Sequence, residues 1–160
     1  MARQYVLSAQ NVTAGNKTMA FVHPSTTQSL EIVRVEITQN GSTTSAMQRI
    51  QLVRQASAYP TLVSATPLAL NESDGSGSIT GGTAGAAGTA GITASAEGAG
   101  AKTVLFEDAF NVLTGYLYVP VPEERIVLAA GSTSGFGVYF PAAPSSTSGW
   151  NVKVVWREVP

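Results

Sequence analysis

Trp150-Asn151-Val152-Lys153-Val154-Val155-Trp156-Arg157-Glu158 is the stretch on which the fold class turns. In an extended chain Val152, Val154 and Trp156 fall on one side, and Asn151, Lys153, Val155 and Arg157 on the other. One face is expected to be dry and the other largely wet, as in a strand of a two-layer β protein. Upstream, Val33, Val35 and Ile37 alternate with Arg34, Glu36 and Thr38, whereas Leu30 and Ile32 sit in the opposite phase. That switch predicts a bulge or edge adjustment near Ile32-Val33.

Turn clusters at 14–16, 24–27, 40–44, 57–60, 114–115, 120–124, 131–135 and 141–149 separate runs of strand length. Strands are predicted near 4–12, 17–22, 29–38, 47–54, 102–107, 115–120, 124–129, 135–140 and 150–158. The run 47–54 also carries helical spacing through Met47, Ile50 and Val53, but Ile50 and Leu52 fit alternation and its neighbours favour β. Eight or nine such strands suit a single all-β domain over 1–160, an antiparallel sandwich of the jelly-roll type.

Residues 74–101 interrupt the pattern. Of these 28 residues, 17 are Gly or Ala and only Asp74 and Glu97 are charged. Ordering a backbone costs roughly 1–2 kcal/mol per residue, and Ile79 and Ile92 are the only large aliphatics available to offset it. The segment is therefore expected to be a mobile surface loop, or an arm held by an adjacent protomer or larger assembly. As a flexible coil it would span about 30 Å, and fully extended roughly 90 Å. Thr83-Ala84-Gly85 and Thr89-Ala90-Gly91 echo each other, but two copies are too few for a repeat fold.

Composition narrows the function. Charged residues make up 12% of the chain with a net charge of −1, and the nine Lys and Arg are scattered singly. That distribution offers no electrostatic footprint for nucleic acid, and a soluble domain ordinarily carries about a quarter charged residues. Some neutral surface is expected to be covered by other subunits. The absence of cysteine excludes disulfides and thiolate chemistry. Met1 leads into Ala2, Arg3, Gln4 and Tyr5 without an apolar run, which predicts neither a secretory signal nor a membrane span.

Chemistry has few places to reside. His23, the only histidine, precedes Pro24 at a strand end and reads as a solvent-exposed turn residue. HExxH, CxxC, GxSxG and Walker-type motifs are all missing. Glu107-Asp108 and Glu123-Glu124 are adjacent pairs, and neighbours on a strand point to opposite faces, so neither pair aims two carboxylates at one bond or ion. Asn71 to Asp74 offers oxygen ligands but lacks the further acid of a helix-loop calcium site. Tyr116, Tyr118, Phe136, Tyr139, Phe140, Trp150 and Trp156 could stack on sugars, although core or interface filling is the commoner use of such rings. No catalytic, metal or cofactor site is expected.

Several segments, taken in order, resemble the small jelly-roll capsid decoration or cement proteins of tailed bacteriophages. They are Arg3 to Val12, Arg49 to Gln55, Thr93 to Glu97, Gly115 to Pro120, Pro122 to Val127, Gly135 to Val138 and Val152 to Glu158. The likeness lies in the character and order of the segments, and the Gly/Ala tract is longer and richer in glycine than the linker of that group. The resemblance implies a non-enzymatic virion protein on the outer capsid surface, made in a bacterial cytoplasm. It also implies contacts across boundaries of the major capsid protein and association with itself, as a homotrimer in preference to a homodimer. A head-fibre, tail or baseplate component and a carbohydrate-binding sandwich are the competing expectations. Contacts are expected at the N-terminal strand (Arg3, Gln4, Tyr5), on the arm (Ile79, Ile92) and at Tyr116 and Tyr118.

Overall fold

The computed structural model describes residues 3–160. Thirteen strands follow one another along the chain: β1 (Arg3–Val12), β2 (Thr18–Val22), β3 (Ser29–Gln39), β4 (Met47–Ala56), β5 (Thr61–Ser64), β6 (Leu68–Ala69), β7 (Thr80–Gly81), β8 (Thr89–Ala96), β9 (Lys102–Asn111), β10 (Tyr116–Tyr118), β11 (Val127–Leu128), β12 (Ser134–Tyr139) and β13 (Trp150–Val159). One sheet runs β10-β3-β13-β1-β6, with β11 also on β3; the other runs β5-β8-β2-β12-β4-β9, with β7 on β8.

Eight of these strands form a jelly roll. β1, β13, β3 and β10 make one layer, β2, β12, β4 and β9 make the other, and every connection between them except β4 to β9 crosses from layer to layer. β13 lies between β1 and β3 over nearly its whole length, so Val152, Val154 and Trp156 are buried between the layers as their alternation requires. Leu7, Ile37, Ile50, Phe136, Phe140 and Trp150 fill the same space, and the Trp150 indole N–H donates to the Ser146 carbonyl at 2.8 Å. The expected bulge is present: β13 pairs Val155 with Arg34 and Trp156 with Ile32, which leaves Val33 unmatched.

The Gly/Ala tract corrects the sequence expectation. It is neither a loose loop nor an arm. β8 is an inner strand, bonded to β2 through Ala20↔Ile92, Phe21↔Gly91 and Val22↔Ala90, and on its other side to β5. β6 extends the opposite layer by pairing with β1. The connection from β4 to β9 thus adds strands to both sheets and closes one side of the sandwich.

Neighbouring side chains compensate for what the tract lacks. Phe21 projects from the outer face of its sheet and is completely buried with Leu62 and Ala94, with Tyr59 packed against the group. The ring lies over glycine: a Cβ built on Gly135 would stand 2.3 Å from the Phe21 Cζ, and one on Gly91 would stand 2.7 Å from the Leu62 Cβ. The small residues let the insertion approach closely, and burial of a phenylalanine contributes about 1.5–3 kcal/mol toward ordering it. The same outer cluster explains the ambiguous run 47–54. It is a strand whose Ile50 and Leu52 face the main core, while Val53 is buried beside Gly137, near Phe21, on the opposite face.

Two outcomes follow from this packing. Gly135→Ala should lower stability by about 1–3 kcal/mol in urea unfolding, whereas Gly41→Ala, which meets only Gln39 Nε2 at 3.8 Å, should change it little. Deletion of 76–98 should abolish the cooperative transition, because it removes an inner strand and uncovers Phe21; a deleted chain that unfolds like the parent would refute this packing.

Candidate assembly face

The residues anticipated as contacts occupy several different places. Tyr5 is in the main core against Trp156, with ring centroids 6.3 Å apart, and Ile79 is buried there too. Neither side chain is available to a partner, because β1 is an inner strand and the tract folds onto the body. Ile92 is half-buried against the same core, and Gln4 accepts the Leu70 amide at its carbonyl at 2.9 Å. Arg3 is exposed and, with Ser76, Ser78, Glu158 and Pro160, lines a shallow surface groove.

Tyr116 and Tyr118 do sit at a free side. They stand on β10, half-buried, and lean into the gap between the layers, where Tyr116 meets Phe110 at 5.7 Å and Tyr118 meets Phe106 at 5.0 Å. Burial, aided by the Asp108 carboxylate and by Tyr118, pushes the Tyr116 phenol up to about 12. It therefore remains neutral across the physiological range. Of the rings that could stack on sugars, Phe136, Phe140, Trp150 and Trp156 are interior.

His23 is another correction. Instead of facing solvent, it is buried with its ring 4.6 Å from Tyr59; Nδ1 lies 2.8 Å from the Gly85 carbonyl and Nε2 2.9 Å from the Ser132 carbonyl. A neutral imidazole has one N–H for these two acceptors, whereas the doubly protonated ring donates to both. In either state the ring sits packed between the insertion and the approach to β12. Of the first acidic pair, Glu107 pairs with Arg49, and Asp108 accepts its neighbour's amide, Ala109 N–H, at 2.7 Å. No group of three or more His, Cys, Asp or Glu that could hold a metal exists among the described residues.

What remains is a surface. With the β1 and β2 side closed by the insertion, β9 and β10 are left as outermost strands on the other side. Val104, Phe106, Leu113, Leu117, Val119, Val121 and Val127 are all exposed there, against Val63, Leu68 and Leu70 on the insertion that covers the other side. Scattered apolar residues are ordinary on a protein surface, but a concentration on one free side marks an interaction region. Sequence reasoning passed over it, although Val119-Pro120-Val121-Pro122 carried a signal: valines between prolines cannot join a central strand. Glu107 and Asp108 on the outermost strand, and a bulge that leaves Leu105 unmatched between Val104 and Phe106, work against indiscriminate strand addition.

Beside this surface Glu31 accepts from Arg125 at 3.0 Å and from Arg157 at 2.9 and 2.5 Å. Burial disfavours its charge, but hydrogen bonds from Arg157 and Arg125 outweigh that penalty and hold the carboxyl below the usual carboxylate range. No protein-family model matches the chain, and searches of curated proteins and of solved structures find no match.

Two measurements check these interactions. His23→Ala removes a ring hydrogen bond to a neighbouring carbonyl and should cost about 1–3 kcal/mol, seen as a lower urea midpoint and faster amide exchange over residues 83–90. Because the Glu31 carboxyl is depressed in the folded state, its contribution to stability is present above the normal carboxylate range and disappears as pH falls through the folded value. Glu31→Gln should therefore flatten the acid limb of the stability profile; an unchanged limb would show that other groups govern it.

Proposed function

We propose that this chain is a structural virion protein of a tailed bacteriophage, acting by contact and not by turnover, which decorates or cements the outside of the capsid across major capsid protein subunits. The observation that carries the proposal is the asymmetry of the sandwich: one side is covered by its own insertion, which exposes Val63, Leu68 and Leu70, and the other, without such a cover, exposes a larger set of apolar side chains along β9, β10 and the segment that follows. Such a surface suits burial against a neighbour, where an apolar patch core is surrounded by polar rim. The low charge of the chain and the resemblance of its segments to decoration proteins point the same way.

In this reading the chain associates with itself, as a trimer, and many copies on a lattice multiply contacts that are individually weak. The contact residues are those of the open side, with Tyr116 and Tyr118 among them, and not the interior Tyr5 and Ile79.

Cosedimentation with heads purified without this chain tests the proposal. The parent chain should bind saturably, and Leu117→Glu with Val119→Glu should weaken binding at least tenfold while leaving the urea midpoint unchanged. Absence of binding by the parent chain, or equal binding by the double variant, would contradict it.

A further inference from the structure

We infer that the mouth between the two sheets on the open side is a binding site for an apolar carboxylate, supplied by an acid-bearing extended segment of the partner chain. The inference rests on the reading of that side as the assembly face and specifies the chemistry seated in it. A cavity of about 250 Å³ opens there, walled by Leu105, Phe106, Ile126 and Val127. That is below the roughly 300–1,000 Å³ of sites for drug-sized ligands, and suits one side chain with its carboxylate.

Charge identifies the occupant. Arg54 lines the cavity from β4, where it shares a ladder position with Phe136 and Thr103, and its guanidinium makes no ion pair or hydrogen bond among the described residues. Arg125 lines it from the other layer; its Nη1 is used by Glu31, but its Nε is buried without an acceptor. Glu31 is also shared with Arg157, so one carboxylate serves two guanidiniums. Counting Arg54, Arg125 and Arg157 against Glu31 and Glu124 leaves one positive charge at the mouth. A guanidinium with an unused donor is unfavourable away from water, and a carboxylate seated beside Arg54 and Arg125 would supply a charge-assisted hydrogen bond.

The backbone is arranged for the same guest. The bulge in β9 leaves Leu105 unmatched and directs it toward this cavity, and the outer edge of β9 is free to pair with an extended chain. Glu124 is the resident competitor: it lines the cavity, and its carboxylate forms no ion pair among the described residues. Removing its charge should therefore favour an external acid.

Two-dimensional NMR of the full chain, titrated at pH 7 and constant ionic strength with N-acetyl-leucine and separately with N-acetyl-leucinamide, tests the site. The acid should shift the amides of Phe106, Arg125 and Val127 and the Nε–H signals of Arg54 and Arg125 saturably, with the amide at least tenfold weaker. Arg54→Gln should weaken the acid at least fivefold, and Glu124→Gln should tighten it. Equal response to acid and amide, no saturable shift at these residues, or indifference to both substitutions would overturn the inference. The titration does not involve heads, so its failure alongside retained cosedimentation would remove the carboxylate site alone.

Discussion

The ring of Phe21 lies on the outer face of a sheet, where a large apolar side chain would ordinarily meet water, and the arrangement of the insertion follows from keeping it dry. Gly135 and Gly137 provide a floor low enough for the ring, and Leu62, Ala94 and Tyr59 provide the cover. That cover belongs to the segment between β4 and β9, which must lie against the body to supply it. Once there, β8 pairs with β2, β5 pairs with β8, and His23 bonds to Gly85. An outer cluster and the main core thus hold the insertion from two directions.

The jelly-roll frame was legible because its strands carry their burial in their spacing. Val152, Val154 and Trp156 alternate cleanly, and the change of phase predicted a bulge or edge adjustment near Ile32-Val33, where the structure leaves Val33 unmatched. The tract was not legible because its stability is supplied from elsewhere. Its own side chains offer almost no apolar area, so a ledger confined to residues 74–101 predicts mobility. The stabilising terms are ladder bonds to β2 and β5 and the burial of Phe21, whose need for cover is visible only when distant segments meet. The same nonlocality misled the reading of His23, which stands before a proline but has carbonyls at 85 and 132 around it.

The exposed apolar side was not legible in the sequence, for a related reason. Tyr116 and Tyr118, expected as contacts, stand half-buried on an outermost strand, whereas Tyr5 and Ile79, expected as contacts on a strand and an arm, are interior. Exposed valines and leucines have no distinctive composition, and what distinguishes these is their number beside β9 and β10, the outermost strands of the side that carries no insertion. Closing one side of the sandwich and leaving the other open gives the molecule a direction. In the proposed setting, that direction separates the face that meets a lattice from the rigid body that it carries.

Hydrogen exchange by mass spectrometry, comparing the free chain with the chain on assembled heads, tests the central claim that function resides in the open side. The account predicts new protection over residues 102–111 and 116–128, with exchange over 80–96 already slow in the free chain and unchanged on binding. Protection gained chiefly over 80–96, with 102–128 unaffected, would return the contact role to the Gly/Ala tract and contradict the account.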